Sequence, residues 1–468
     1  MSIFALLLLG SIMVVGTNIE KKSEKLPFII KFLYGIGDWG NSTTTTIVGF
    51  FFLYFLTDVA HLPPAFASPV LLIGTIWDAI NDPLIGVFAD KVHTRWGRRR
   101  PFFIIGAVPF GLAFILLWWV PPFTNDFLLM LYYLLAYILF DTAFTFVFVP
   151  YGTLTPELTQ DYDERTQLNG FRMGVSMAGG LIAAFFVPII ASMFAEEKTG
   201  YLVMALIFGF LAMLPYILLF FTMKEKYPET QSSDLSIIQS FFYTWKNRAF
   251  RYAAGIYMTA WMTVAMVSAL IIYYITYWMK MESQLEYILA VVQLAAFICI
   301  PIILKLSNKM GKTKAYIFGM AWWAAVMLSL AFLPSTAGKI VYIIGALAGL
   351  GIAAAHVIPW SIIPDVIDDD ELRTGHRREG TFYGYMVFIQ KAGTAIILAL
   401  IPWILSLTGY VANQPQNTAT TTAIRSMMGL LPTILLSISM LLAWKFPITR
   451  EKFAELRKEI EAKKSAVI

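Results

Sequence analysis

Residues 67–100 read ASPVLLIGTIWDAINDPLIGVFADKVHTRWGRRR, and this stretch decides the fold. Its first part is apolar and long enough to cross a bilayer as a helix, which takes about 20 residues. It then breaks into a turn carrying Lys91, Arg95, Arg98, Arg99 and Arg100. Asp78 and Asp82 lie deep within the apolar part. A carboxylate at such a depth costs several kcal/mol unless it meets a partner or a water-filled cavity. The stretch therefore reads as a membrane span with a built-in polar site, followed by a basic loop.

The whole chain agrees with that reading. Hydrophobic residues make up 58% of the 468 and charged residues 14%, against roughly 45–50% and about 25% in soluble domains. Such an apolar excess cannot be hidden in a soluble core. The net charge of +5 is assigned to Lys and Arg at helix ends, not to nucleic-acid binding. The single cysteine, Cys299, sits in an apolar run and reads as a small buried hydrophobe. No nucleophile–base pair or metal-ligand cluster is apparent, and His61, His93, His356 and His376 are scattered. No enzymatic activity and no cofactor are expected.

Outward from the opening stretch, apolar segments recur at about 29–57, 67–90, 101–121, 126–154, 168–194, 199–223, 250–279, 284–306, 314–333, 338–363, 380–408 and 422–447. The fold class is thus all-α membrane protein, with about twelve spans divided six and six by the break around Lys224–Asn247. The expected organisation is an N-terminal extension 1–28, a first six-helix bundle 29–223, a linker 224–249, a second bundle 250–447 and a tail 448–468. Lys and Arg concentrate in the even-numbered connections, which places those loops and both termini in the cytoplasm. An integral protein of the cell (inner) membrane follows, with lipid around it and a functional monomer as the working unit. The apolar run Ile3–Val15 has no Lys or Arg before it. It reads as an interfacial or poorly ordered extension, or the product of an upstream start, in preference to a cleaved signal. Thr449–Lys464 reads as a charged surface helix.

A weak internal repeat supports the division. ADKVHTRWGRRRPFFIIGA follows the second span and LKLSNKMGKTKAYIFGM the eighth, each a Gly-centred basic turn before an apolar helix. Repeated halves with a midplane site between them describe a major-facilitator transporter.

Ionisable groups inside the spans carry the chemistry. Asp78 and Asp82 are four apart, so they share one helix face, with Asn81 beside them. Pro83 has no N–H, which frees the Ala79 carbonyl. Two adjacent carboxylates in a low dielectric take up a proton or a cation, and ligands made only of oxygen suit a hard ion. Pairing with a basic residue of a neighbouring helix is the bland alternative. Asp141 and Thr145 share a face of the fourth span; Asp141 is a proton or substrate site, or the partner of a structural cation. Lys391 is too deep to reach the interface and needs a carboxylate, with Asp78, Asp82 or Asp141 expected, or an anionic substrate group. Arg172 is open between a gating salt bridge and substrate binding. Asp38 interrupts the first span among glycines and is expected to face a cavity. Tyr34, Tyr151 and Trp360 are candidates for stacking on a sugar ring or an acyl chain. The loop from Asp90 to Arg100, with Arg98 and Arg99, is expected to latch the inward face through Glu157, Asp161 or Asp163.

YGIGDWG, WDAINDPLIG followed by RWGRRRP, VPYGTLTPELT and PDVIDDDELRTGHRREGTFYGYMVFIQKAG occur in that order. Together they make the chain, from about Lys31 to Phe446, similar to the glycoside–pentoside–hexuronide:cation symporter family of melibiose-permease-like transporters. The resemblance implies a major facilitator fold and sodium or proton coupling, with the ion on Asp78, Asn81, Asp82 and Thr145, where sodium is the metal to expect. It also matches the family's arginine and lysine to Arg172 and Lys391. The family's two sugar-gripping aspartates fall instead at Ser42 and Phe148, and its stacking tryptophans near Gly152 and His356. The expected substrate is a sugar or glycoside. A lysolipid or other amphiphile is the alternative, since lysolipid symporters resemble the same superfamily and keep the cation, arginine and lysine positions.

Overall fold

The computed structural model describes residues 25–159, 161–225, 243–374, 378–448 and 452, without the side chains of Asp90, Pro156, Tyr162 and Asp163. The run Ile3–Val15, His376, most of the linker and the tail helix apart from Lys452 lie outside the described residues. Among the described residues, twelve helices are long and apolar enough to cross a membrane. They are α1 (Phe28–Val59), α2 (Pro64–Ala89), α3 (Arg100–Leu117), α4 (Asp126–Gly152), α5 (Glu164–Ser192), α6 (Glu197–Thr222), α7 (Arg248–Met279), α8 (Glu282–Met310), α9 (Lys312–Phe332), α10 (Ile340–Thr374), α11 (Glu379–Leu407) and α12 (Thr418–Trp444).

Local chemistry sets where these helices begin. Asn125, Asn247 and Asn417 precede α4, α7 and α12, and each side-chain oxygen accepts a first-turn N–H. That satisfies amides that would otherwise lack a partner. α1 is interrupted at Gly37. There the Tyr34 carbonyl accepts both the Gly37 N–H at 3.1 Å and the Tyr151 hydroxyl at 2.8 Å. α10 runs well past the expected end at 363. Hydropathy registers only the apolar part of a helix, whereas this one continues through buried Asp365, Asp368 and Asp370. Lys312 of α9 donates to both oxygens of Asp365 at 2.7 Å and to the Ser361 carbonyl at 2.6 Å, which holds the extension in place.

The packing repeats with a period of six helices. α1 packs on α5, α2 on α4 and α3 on α6; α7 packs on α11, α8 on α10 and α9 on α12. The contacts between the halves obey the same pseudo-two-fold relation. α2 meets α11 as α8 meets α5, and α1 meets α7 on the axis itself. The internal repeat of basic turns is therefore matched by a repeat of packing, and the fold is that of two related six-helix bundles.

The first basic turn shows why its glycine is required. Thr94 donates its hydroxyl to the Gly97 carbonyl at 2.8 Å, and Gly97 has φ +108°. The N–H groups of Arg98, Arg99 and Arg100 then donate to the Glu225 carboxylate at 2.6, 2.8 and 3.1 Å. An anion belongs at this position, since a helix start carries unpaired amides and the positive end of the dipole. A Cβ on Gly97 would stand 2.5–2.7 Å from that carboxylate. Gly97→Ala should therefore cost about 1–3 kcal/mol through strained φ and a displaced cap. Gly86→Ala, whose Cβ meets nothing nearer than 3.9 Å, should leave the protein at least as stable. Thermal-unfolding midpoints of the two purified variants make the comparison.

Candidate cation and substrate site

The two carboxylates of the opening stretch meet the deep lysine of the other half. Lys391 Nζ lies 2.5 Å from Asp78 Oδ1 and 2.5 Å from Asp82 Oδ2. Thr145 of α4 donates its hydroxyl to Asp82 Oδ1 at 3.0 Å. α2 and α4 can approach this closely because the Tyr137 ring lies against Gly74, where a Cβ would come within 2.0 Å of it. Trp77 Nε1 bonds the Thr142 hydroxyl at 2.9 Å and fixes the register of the pair. Side-chain exposure is 16% for Lys391, 20% for Asp78 and 29% for Asp82, so the cluster is recessed but reachable by water.

Asn81 is buried and reaches across to α4. Its amide donates to Asp141 Oδ2 at 3.3 Å, and Asp141 in turn is within hydrogen-bonding reach of Asp78. Asp141 is thereby drawn into the same cluster. Three carboxylates (Asp78, Asp82 and Asp141) then face one ammonium.

The other deep cation is already matched. Arg172 Nε donates to Asp38 Oδ1 at 2.9 Å, and the guanidinium lies 5.2 Å from the centre of the Tyr151 ring and 5.6 Å from that of Phe148. Asp38 is 2% exposed, so it is buried under this pair. Tyr34 and Tyr151, expected as stacking residues, are fully buried. Tyr34 bonds the Thr155 hydroxyl at 2.6 Å, and both rings serve as packing around Arg172. Ser42 is also buried; its hydroxyl donates to the Trp39 carbonyl at 3.3 Å and it packs against Gly179. Trp360 differs: it is 42% exposed, stacked on Tyr383 at 5.7 Å and edge-on to Tyr257. His356 is exposed beside Trp261, with Nδ1 at 2.9 Å from the Ile352 carbonyl. Tyr257 and Trp261 are four apart on α7 and share a face, but Tyr383 comes from α11, so the three were not legible as a group.

On the basic-loop face Arg99 pairs with Glu157 at 3.1 Å, both side chains nearly inaccessible. Both residues belong to the first half, so this contact braces one half internally. Asp161 caps the start of α5 by accepting the Glu164 N–H at 2.9 Å. Arg98 donates its N–H to Glu225 as above, while the side chains of Asp90 and Asp163 lie outside the described residues. Glu225 sits in a polar stretch whose sequence gave no sign of a capping role.

Residues 33–450 match the family described as MFS/sugar transport protein. The chain belongs to that family. It is 31% identical to an uncharacterized symporter of Synechocystis, over 94% of this chain and 98% of that one. It is 27% identical to the sodium-dependent lysophosphatidylcholine symporter 1 of Xenopus tropicalis, over 97% and 94%. It is also 27% identical to the inner membrane symporter YicJ of Escherichia coli, over 91% and 93%. The crystal structure of a point mutant of the nucleoside transporter NupG superposes with a TM-score of 0.62 at 13% identity, over 89% of this chain and 98% of that one, a likeness of fold. These relatives make the chain a membrane transporter whose named homologues are symporters.

Removing one member of a buried ion pair leaves the other uncompensated and costs about 3–5 kcal/mol. Arg172→Gln should show a loss of that size. The double variant Arg172→Gln/Asp38→Asn should recover a large part of it. Thermal unfolding of the two single variants and the double variant measures the coupling, and strict additivity would show that the pair is not coupled.

Proposed function

We propose that this protein is a secondary active symporter that couples entry of sodium or a proton to uptake of a sugar or glycoside by alternating access. The observation that carries the reading is the charge imbalance around Asp82. Lys391 supplies one positive charge to three carboxylates, and Arg172 is committed to Asp38. In a low-dielectric setting such an excess is relieved by taking up protons or a cation. Asp78, Asp82, Thr145 and the side-chain carbonyl of Asn81 supply the oxygens, which suits sodium.

Lys391 then works as a tethered substitute for the ion. Its ammonium stands between Asp78 and Asp82 and joins α11 to α2 across the seam. An arriving cation takes over part of that neutralisation and lets Lys391 shift, so ion occupancy and the relation between the halves are linked. A substrate that prefers the arrangement favoured by the ion is bound more tightly when the ion is present, and the linkage is reciprocal. The Arg172–Asp38 pair and the exposed Trp360 and His356 are the groups best placed to read the substrate. The chain is assigned to the inner membrane, with both termini and the basic loops cytoplasmic.

A lysolipid or similar amphiphile is the second reading. Phe148 stands where the resembling family grips sugar hydroxyls, Ser42 is occupied in packing, and the Xenopus relative is named for a lysolipid. Thermal-shift screens of sugars and lysolipids, with and without sodium, separate the two: the true cargo stabilises the protein in a sodium- or pH-dependent way.

Asp82→Asn should lower apparent cation affinity by roughly tenfold or more, the scale of losing one charged ligand, in a protein that still inserts. Uptake by proteoliposomes under imposed sodium or proton gradients checks this, and unchanged cation dependence would sink the site assignment. Asp141→Asn should alter substrate affinity or the pH profile of uptake; if neither moves, Asp141 is structural.

A further inference from the structure

α1 and α7 end in the same way, at the face opposite the basic loops. Each closes with a π-helical turn, Phe55–Val59 in α1 and Tyr274–Met279 in α7. Beyond each turn stands a residue in the left-handed region, His61 at φ 55° and Lys280 at φ 54°. The following N–H folds back to an equivalent carbonyl, Leu62 to Leu56 at 2.9 Å and Met281 to Ile275 at 3.0 Å. Aligned on these features, Asp58 of α1 and Tyr277 of α7 are equivalent positions of the two halves. π turns inside helices are frequent at functional sites.

These two equivalent residues touch. The Tyr277 hydroxyl donates to the Asp58 carboxylate. The Tyr410 hydroxyl, just beyond α11, lies 2.6 and 2.7 Å from its two oxygens, and the Thr57 hydroxyl donates at 2.6 Å. The Tyr273 hydroxyl lies 2.5 Å from the Thr57 oxygen. Asn413 adds two bonds, its side chain to the Asp58 carbonyl at 2.8 Å and its N–H to the Tyr277 oxygen at 3.0 Å. Asp58 is 1% exposed, and each bond described at its carboxylate comes from a hydroxyl. A recess of about 300 Å³ that includes Asp58, His61, Glu197 and Asn413 in its lining borders this cluster.

Among the described residues no ion pair to Asp58 is formed, and Lys198, which lines the same recess, pairs with Glu196 at 3.3 Å; a buried carboxylate in that position depends on the donors around it. Most of those donors come from the other half. Drawing the halves apart removes Tyr273, Tyr277, Tyr410 and Asn413 together, and water can then solvate Asp58 from the recess. The exchange of hydroxyls for water leaves a modest net difference, which suits a contact that must open and close repeatedly.

We propose that Asp58, Tyr277 and Tyr410 form the outer gate, a clasp of hydroxyls on one carboxylate that holds the two halves shut at this face. The clasp breaks when the protein opens outward. The proposal rests on the alternating-access reading, and its test needs neither the substrate nor the coupling ion. Cys299 is the single native cysteine. In a Cys299→Ser background, Ala65→Cys and Gln414→Cys place nitroxide labels at exposed positions on the outer ends of the two halves. Electron–electron resonance in lipid nanodiscs then reads their separation. Tyr277→Phe and Tyr410→Phe each remove one hydroxyl and keep the ring, so packing is preserved. Each should enlarge the long-distance population roughly tenfold, the weight of one hydrogen bond to a charged group. Distance distributions identical to the parent's in both variants would overturn the clasp. Loss of the symport reading would appear separately, as uptake indifferent to cation gradients with the label response intact.

Discussion

Lys391 holds two carboxylates that belong to the other half of the molecule, and the remaining chemistry depends on that arrangement. Asp78 and Asp82 lie one helical turn apart on α2, so their mutual repulsion is unavoidable; a single ammonium 2.5 Å from each relieves it. The same ammonium sits on α11, which makes electrostatic neutralisation and inter-half contact one event. The fold supplies a pseudo-two-fold mate for this seam, α5 against α8. Contacts there are of another kind, such as Phe185 edge-on to Tyr287 at 5.9 Å. The symmetry of the frame is therefore broken at the point where charge enters.

A second consequence concerns direction. The cross-half contacts described here run from the Asp78–Lys391 level to the end opposite the basic loops, through Ser68 on the Ala399 carbonyl at 2.8 Å and on to Asp58. The central seam pairs full charges across the boundary. The outer contact uses one charge with neutral donors and is sensitive to hydration. Two contacts of different chemistry along the same boundary can be broken in sequence, as a transporter that exposes one side at a time requires.

Much of this was legible in the sequence because a bilayer punishes misplaced polarity. The spans, the basic loops and the deep residues Asp78, Asp82, Asp141, Arg172 and Lys391 stand out against an apolar background, and the expectation that Lys391 pairs with Asp78, Asp82 or Asp141 follows from the scarcity of such groups. The reading failed where polarity lies near a helix end or where burial serves packing. The α10 extension escaped because Asp365 and its neighbours lower hydropathy without ending the helix. Asp58 falls just beyond the expected first span of 29–57, and nothing in its neighbourhood announces hydroxyls supplied from 219 and 352 residues away. Tyr34 and Tyr151 looked suited to a substrate, yet their hydroxyls bond Thr155 and the Tyr34 carbonyl.

The same reasoning explains why the ion's site is easier to read than the cargo's. A cation demands charged or strongly polar oxygens, and these cannot be placed in a membrane for any lesser purpose without a large penalty. A sugar or an amphiphile is recognised by aromatic faces and a few hydrogen bonds, which interior packing also uses. Here the discriminating fact is exposure. Trp360 keeps 42% of its surface free while stacked on Tyr383, and His356 is exposed one turn earlier on the same helix. Under the proposed function these two polar-edged rings on one exposed face of α10 would meet a cargo with one apolar side and hydrogen-bonding groups beside it. That description fits a pyranose ring, and it fits a lysolipid at its glycerol end; the acyl chain of the latter would need a longer apolar path.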